Sequence, residues 1–361
     1  MVTSDHRDGQ GGQMATAYAG QPVVRTAERG HGSDYAVLLR RVREAGLMQR
    51  RPFYYARKTA AVVAALAVGW GVFVALGDSW WQLLTAVFLG AVFPQLAFLG
   101  HDAGHRQVFR TRRANHLYGL LVGNLGIGVS IGWWTGNHNR HHAHPNTEGA
   151  DPDITGVLVY SADRARTERS FRKWIFRYQG WLFFPLVFLE AGSLHNKSVQ
   201  AVIRGEVSNR FWEGLLLAAH AVGLVAAAFA VLSPVQAVVF LAVQQGVFGF
   251  YMGCTFAPNH KGMEVFGPDD TIDYLRRQVL TSRTVRGGWL LDAAMGGLNY
   301  QIEHHLFPSM PRCNLRRAQP LIVEYCAEIG VPYREAGLFD SYRQAVGFLH
   351  DVGKHARPGA S

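Results

Sequence analysis

The chain has little cysteine and little charge, and each shortage removes a class of protein. Three cysteines (Cys254, Cys313 and Cys326) give no disulfide framework and no CxxC pair, which excludes a fold stapled by disulfides and leaves them as apolar or free thiol positions. Charged residues make up 17% of the chain against 48% apolar, a low share for a soluble globular protein. HEXXH is absent, so the zinc peptidase signature does not apply. The N-terminus lacks the charged-then-apolar layout of a secretion signal. Basic residues are not scarce. The formal charge is +10, which in another setting would suggest nucleic acid. Here the apolar runs give those cations a different role, because Lys and Arg collect on the cytoplasmic side of membrane spans. No nucleic-acid partner is expected.

Residues 1–33 are rich in Gly, polar and charged residues without an apolar period, so this segment is expected to be disordered. From Asp34 to Met48, Tyr35, Leu38, Leu39 and Val42 recur at helical spacing among Arg40, Arg41 and Arg43. This reads as a short basic amphipathic helix, lying on a membrane surface or simply solvated. Thr59–Leu76 and Trp80–Gly100 are uncharged and apolar, and only Gly77, Asp78 and Ser79 separate them. Gly214–Leu232 and Val235–Ala257 form a second pair around Ser233 and Pro234. A helix of ~18 residues covers about 27 Å, close to the hydrocarbon thickness of a bilayer. Each pair is therefore expected to cross and return as a hairpin. Pro94 in the second run is tolerable in a membrane helix.

Orientation follows from the basic residues. Arg50, Arg51, Arg57 and Lys58 precede the first span, and Arg106, Arg110, Arg112 and Arg113 follow the second. Lys197, Arg204 and Arg210 precede the third, while Lys261, Arg276, Arg277, Arg283 and Arg286 follow the fourth. The hairpin turns carry none. The positive-inside rule then puts both termini and the long loops on the cytoplasmic side of a plasma membrane. A membrane domain over residues 34–335 and a C-terminal cytoplasmic tail over 336–361 are expected. Leu117–Trp134, rich in glycine, and Trp181–Leu189, interrupted by Pro185, read as interfacial or re-entrant pieces. His220 falls inside the third span and reads as a packed, hydrogen-bonded residue.

What is abundant is histidine, gathered just outside the apolar runs. The clusters are HDAGH (His101 to His105), HNRHH (His138 to His142) and QIEHH (Gln301 to His305). Imidazole is the commonest protein metal ligand. His101 and His105 are four apart, as are His138 and His142, with His141 three from His138, so each set shares a helix face. His304 and His305 are adjacent and would splay by ~100° on a helix, enough to serve two neighbouring ions. A single catalytic zinc typically takes three protein ligands. Two iron ions would use this larger set, with help from His260 in the APNH run that also holds Asn259.

HDAGH, HNRHH followed by AHPN, and LNYQIEHHLFP resemble the integral-membrane fatty acid desaturases, over roughly residues 55–335. The resemblance implies an all-α integral membrane fold: four transmembrane helices as two hairpins, with a cytoplasmic helical cap carrying a histidine-ligated di-iron site. It implies His101, His105, His138, His141, His142, His304 and His305 as iron ligands, His260 as a further one, and O₂ as co-substrate. No catalytic side chain beyond the ligands is expected. Gln301, where many members have His, resembles the front-end and related acyl-CoA or acyl-lipid subgroup. Gln301, Asp102, Glu303 and Asn259 are candidates for orienting ligands, since metal-bound histidines usually donate their other N–H to a carboxylate or carbonyl. Asp151 and Asp153 suit that role or a turn cap. His144 reads as a surface residue or an outer partner. Trp133 and Trp134 suit either the wall of an acyl tunnel or interfacial anchors. The HPGG motif of a fused haem domain is absent, so electrons are expected from a separate ferredoxin or cytochrome with its reductase. The implied reaction is O₂-dependent desaturation of a fatty acyl-CoA or acyl-lipid. A hydroxylase of the same architecture and a metal-handling transporter stand as the alternatives.

Overall fold

The computed structural model describes residues 33–357, so the segment expected to be disordered lies, apart from Ser33, outside the described residues. The chain is mostly helical. In order come α1 (Asp34–Glu44), α2 (Pro52–Leu76), α3 (Gln82–Gly104) and α4 (Arg112–Gly119), which runs into a π-helical turn (Leu120–Leu125). Then follow α5 (Ile131–Ala143), α6 (Ala162–Thr167), α7 (Arg172–Val187), α8 (Glu190–Arg204), α9 (Arg210–Val231) and α10 (Pro234–His260). The rest is α11 (Tyr274–Leu280), α12 (Trp289–Ala294), α13 (Gln301–Leu306), α14 (Arg312–Glu328) and α15 (Leu338–Lys354). One short parallel pair joins β1 (Thr284–Arg286) to β2 (Glu335–Gly337).

Among the described residues four helices, α2, α3, α9 and α10, are long and apolar enough to cross a membrane. They coincide with the four apolar runs. Each extends past its run, because helical backbone continues through flanking polar residues such as Arg57 and Lys58 at one end and His101 at another. Pro52 and Pro234 open α2 and α10, where a missing N–H costs no helical bond. Gly77, with φ +59°, ends α2 in a conformation that side chains resist. Between apolar helices in lipid the hydrophobic drive is weak, and close approach supplies the attraction. Gly90 of α3 permits it: a Cβ there would stand 2.8 Å from the Gln244 carbonyl oxygen of α10. Phe93, Leu96 and Leu99 of α3 then pack with Phe248 and Met252 of α10.

Three further segments have a definite place in the fold. The apolar stripe of α1 meets neither lipid nor water: Leu38 and Val42 are fully buried against Leu306, Leu315 and Ile322, because α13 and α14 offer an apolar face of their own. Leu117–Trp134 takes in the end of α4, the π turn and the start of α5, bent back at Gly128 (φ +69°). Over residues 336–357 the chain is folded: Ala345, Leu349 and Val352, one face of α15, are buried, the last two with Phe183 and Phe176 of α7.

Candidate metal centre

Helix ends deliver the histidines to one place. α3 brings His101 in its last turn, with His105 as its C-cap. The last two turns of α5 carry His138, His141 and His142. α10 ends on His260, and the single-turn helix α13 carries His304 and His305. The ring nitrogens form two groups, His101, His105, His138 and His304 in one, His141, His260 and His305 in the other, each with ligand atoms within 4.8 Å of one another. The Nε2 atoms of His101 and His304 face each other at 3.1 Å. His142 stands between the groups: its Nε2 is 3.1 Å from Nε2 of His138, and its ring stacks on His305 at 4.2 Å. The splay expected of His304 and His305 is realised, one serving each group.

The outer nitrogens fix the tautomers. His141 Nδ1 lies 3.0 Å from both oxygens of Asp151. A carboxylate only accepts, so Nδ1 carries the hydrogen and Nε2 keeps its lone pair. His260 Nδ1 donates to the Thr281 carbonyl at 2.9 Å, and His305 Nδ1 to Gln278 Oε1 at 3.0 Å. His101 Nδ1 faces Asp102 Oδ1 at 3.2 Å, and Arg312 Nε donates to the other oxygen of that carboxylate at 2.7 Å. Nε2 of His105 and of His305 is buried and finds no hydrogen-bond partner among the described residues. A buried polar atom without a partner is costly, and lone pairs turned toward one point are what a transition metal uses. The donor set fits metal ions of the kind imidazole suits, such as iron or zinc.

Electrostatics agree with that use. Burial, then the neighbouring imidazoles, hold His105, His138, His142, His304 and His305 well below the usual histidine range, so these rings stay neutral and able to ligate. His141 is the exception. Burial opposes its charge, but Asp153 and Asp151 outweigh that and raise it.

A cavity of about 790 Å³ touches both groups through His101, His138, His141 and His260. Its lining includes the apolar Ile127, Val129, Leu194, Phe248 and Met252 and the basic Arg164, Arg172, Lys197 and Lys261. Trp133 and Trp134 both form wall, and Trp134 stacks on His138 at 4.4 Å.

Of the residues expected to orient ligands, Asp102 touches His101. Gln301 Nε2 lies 2.9 Å from His260 Nε2, and Asn259 donates to Gln301 Oε1 at 3.2 Å. Glu303 is not brought to an imidazole. It accepts from Tyr333 (2.6 Å) and Thr284 (3.1 Å), because α13 turns it away from its neighbour His304. Asp151 both caps the turn at Asp153 and holds His141. His144 is exposed, and His220 Nδ1 donates to the Leu125 carbonyl at 2.9 Å, apart from both groups. Gln278, Thr281 and Arg312 were not expected at all. They lie in loops and helix ends with no spacing relative to the histidines, so no local signal marks them.

Residues 78–337 match the family model described as fatty acid desaturase. The chain is 31% identical over 327 residues to the acyl-lipid (9-3)-desaturase of Physcomitrium patens, covering 86% of this chain and 61% of that protein. It is 30% identical over 328 residues to the Delta(5) fatty acid desaturase fat-4 of Caenorhabditis elegans, covering 86% of this chain and 71% of that protein. A Delta 8-(E)-sphingolipid desaturase of Emericella nidulans is 26% identical over 350 residues, with 90% and 62% covered.

Proposed function

The chain belongs to the fatty acid desaturase family, and from that premise we propose that it is a membrane oxidoreductase that introduces a carbon–carbon double bond into the acyl chain of an acyl-CoA or acyl-lipid. One observation carries this reading: two groups of inward-facing imidazoles form part of the wall of a largely apolar cavity. His101, His105, His138 and His304 would hold one iron ion, and His141, His260 and His305 a second, with His142 adjoining both. Bound there, the iron pair supplies the oxidising power of O₂ for removing two hydrogens from an unactivated pair of methylenes. The balance needs two electrons from a separate ferredoxin or cytochrome with its reductase: O₂ takes four electrons, two of them from the acyl chain, and two waters leave.

The protein's own part is placement. Asp102, Asp151, Gln278 and the Thr281 carbonyl hold four rings by their outer nitrogens, so each Nε2 stays aimed inward. Trp133, Trp134, Ile127, Phe248 and Met252 exclude water and confine a flexible chain. Confinement matters because a misplacement of about 1 Å can cost a hundredfold in rate. We place α2 with α3, and α9 with α10, as two hairpins in a plasma membrane, with the metal centre and the ends of the chain on the cytoplasmic side, where the basic residues gather.

Expression in a host with a matched electron donor, followed by mass spectrometry of its fatty acids, tests the proposal. Products two mass units lighter are expected. Products sixteen units heavier, or an unchanged profile in iron-loaded membranes, would overturn it.

A further inference from the structure

Glu213 is the one carboxyl group in the third membrane helix, and the chemistry above leaves it without a task. It sits in the first turn of α9 and is fully buried. A carboxyl group buried in this way is costly unless hydrogen bonds compensate it. Its Oε2 accepts from Asn124 Nδ2 at 3.2 Å, from the Gly132 amide at 3.3 Å and from the Ser130 hydroxyl. These donors come from the π turn and the N-terminus of α5.

The surroundings complete a clamp. The Ile131 amide donates to Asn124 Oδ1 at 3.0 Å, and the Trp133 amide to Ser130 Oγ at 3.1 Å. The Ser130 amide donates to Ser198 Oγ of α8 at 3.0 Å. Every first-turn N–H of α5 named here thus ends on a side chain, where an unsatisfied buried donor would be costly. The carboxyl group also lies at the positive end of the α5 dipole. Gly132 is required by the fit: a Cβ there would stand 2.2 Å from Glu213 Oε1.

α5 is a single 13-residue rod. Its first turns carry Trp133 and Trp134, and its last two turns carry His138, His141 and His142. We propose that Glu213 is a positioning residue: reaching from the third span, it fixes the N-terminal turn of α5 and so sets where the two tryptophans and three histidines stand in the cavity. This rests on the desaturase reading for its effect on turnover, but not for its effect on ligand geometry.

Removal and rescue test it on the full chain in detergent. In Glu213→Ala the Asn124, Ser130 and Gly132 donors lose the acceptor they share. In Glu213→Gln the amide oxygen takes the place of Oε2 and accepts from the same donors, while the N–H₂ replaces Oε1, which has no hydrogen-bond partner among the described residues. The probes are Co²⁺ loading, whose visible absorption reports ligand geometry, and the positional isomers and kcat of the product. Glu213→Ala is expected to shift the Co²⁺ bands and to lower kcat by about a hundredfold, as for a displacement of order 1 Å. Glu213→Gln should keep both close to the wild type. Gly132→Ala should reproduce the Glu213→Ala signature by pushing the same carboxyl group. Unchanged bands in Glu213→Ala, or a Glu213→Gln variant no better than Glu213→Ala, overturns the proposal. If Glu213→Ala does not fold, Gly132→Ala decides: shifted bands support the proposal and unchanged bands overturn it. A wild-type chain that binds Co²⁺ in this way yet desaturates nothing sinks the desaturase reading alone.

Discussion

Asp151 shows how much one side chain can hold. It accepts from His141 Nδ1 and from the backbone amides of Asn146 (2.7 Å) and Asp153 (2.9 Å). Losing His141 should therefore remove one ligand from its group without unfolding the loop. His141→Ala is expected to abolish turnover while the chain still runs as a single species in size-exclusion chromatography, with less iron per chain by elemental analysis. Asp151→Asn keeps the shape but weakens the hold on the ring, and metal affinity should fall roughly 10–100-fold in a chelator competition. Glu303 gives a pH prediction. Burial pushes its carboxyl group from 4.5 up to about 7, against the hydrogen bonds from Tyr333 and Thr284. Between those values the folded chain keeps a proton that the unfolded chain releases. This group's contribution to folding is therefore fully present below pH 4.5 and is lost as pH rises through about 7. In Glu303→Gln the melting temperature should fall less than in the wild type over that window. Equal slopes would show that Glu303 does not titrate there. The histidines were legible because imidazole at helical spacing is a chemical signal in itself. Their outer partners were not. Gln278 and Thr281 reach the rings, and Arg312 reaches Asp102, through long-range folding, and Glu303 departs from expectation because adjacency in sequence says nothing about which way a helix turns a side chain.

At the level of helices, hydropathy made the four spans readable, since lipid demands long uninterrupted apolar runs. It did not make α15 readable as part of the body, because an apolar stripe of one residue in three or four does not say what it packs on. The stripe meets α7, whose Ile175, Phe183 and Val187 also line the cavity. The contact is close. A Cβ on Gly353 would stand 2.5 Å from the Phe176 carbonyl oxygen, and one on Gly180 would stand 2.9 Å from Cβ of His350. Gly353→Ala should pry α15 from α7 and destabilise the chain by about 1–3 kcal/mol, as overpacking does. Thermal unfolding measures this, and an unchanged midpoint would mean that the helices part at no cost. The pairing also moves a cavity wall, so the spread of product chain lengths should widen in the same variant.

For the molecule as a whole, charge asymmetry predicts the arrangement across the bilayer. Single cysteines placed in the turns at Asp78 and Ser233 should react with an impermeant maleimide from outside the cell, and one placed at Arg113 only after permeabilisation. Labelling of Arg113→Cys in intact cells would reverse the assigned sides. The basic residues that predict the side of the membrane are plain in the sequence, whereas the meeting of α3, α5, α10 and α13 was not, because it depends on turns such as Gly128 and on polar clamps with no pattern of their own. That meeting has a practical consequence. With the proposed ligands drawn from two spans and two loop helices, a bound ion would work as a cross-link, and its grip would count toward folding as well as chemistry. A producing cell starved of iron should accumulate less of this chain, in a form that proteases cut sooner, before any loss of unsaturated lipid becomes measurable.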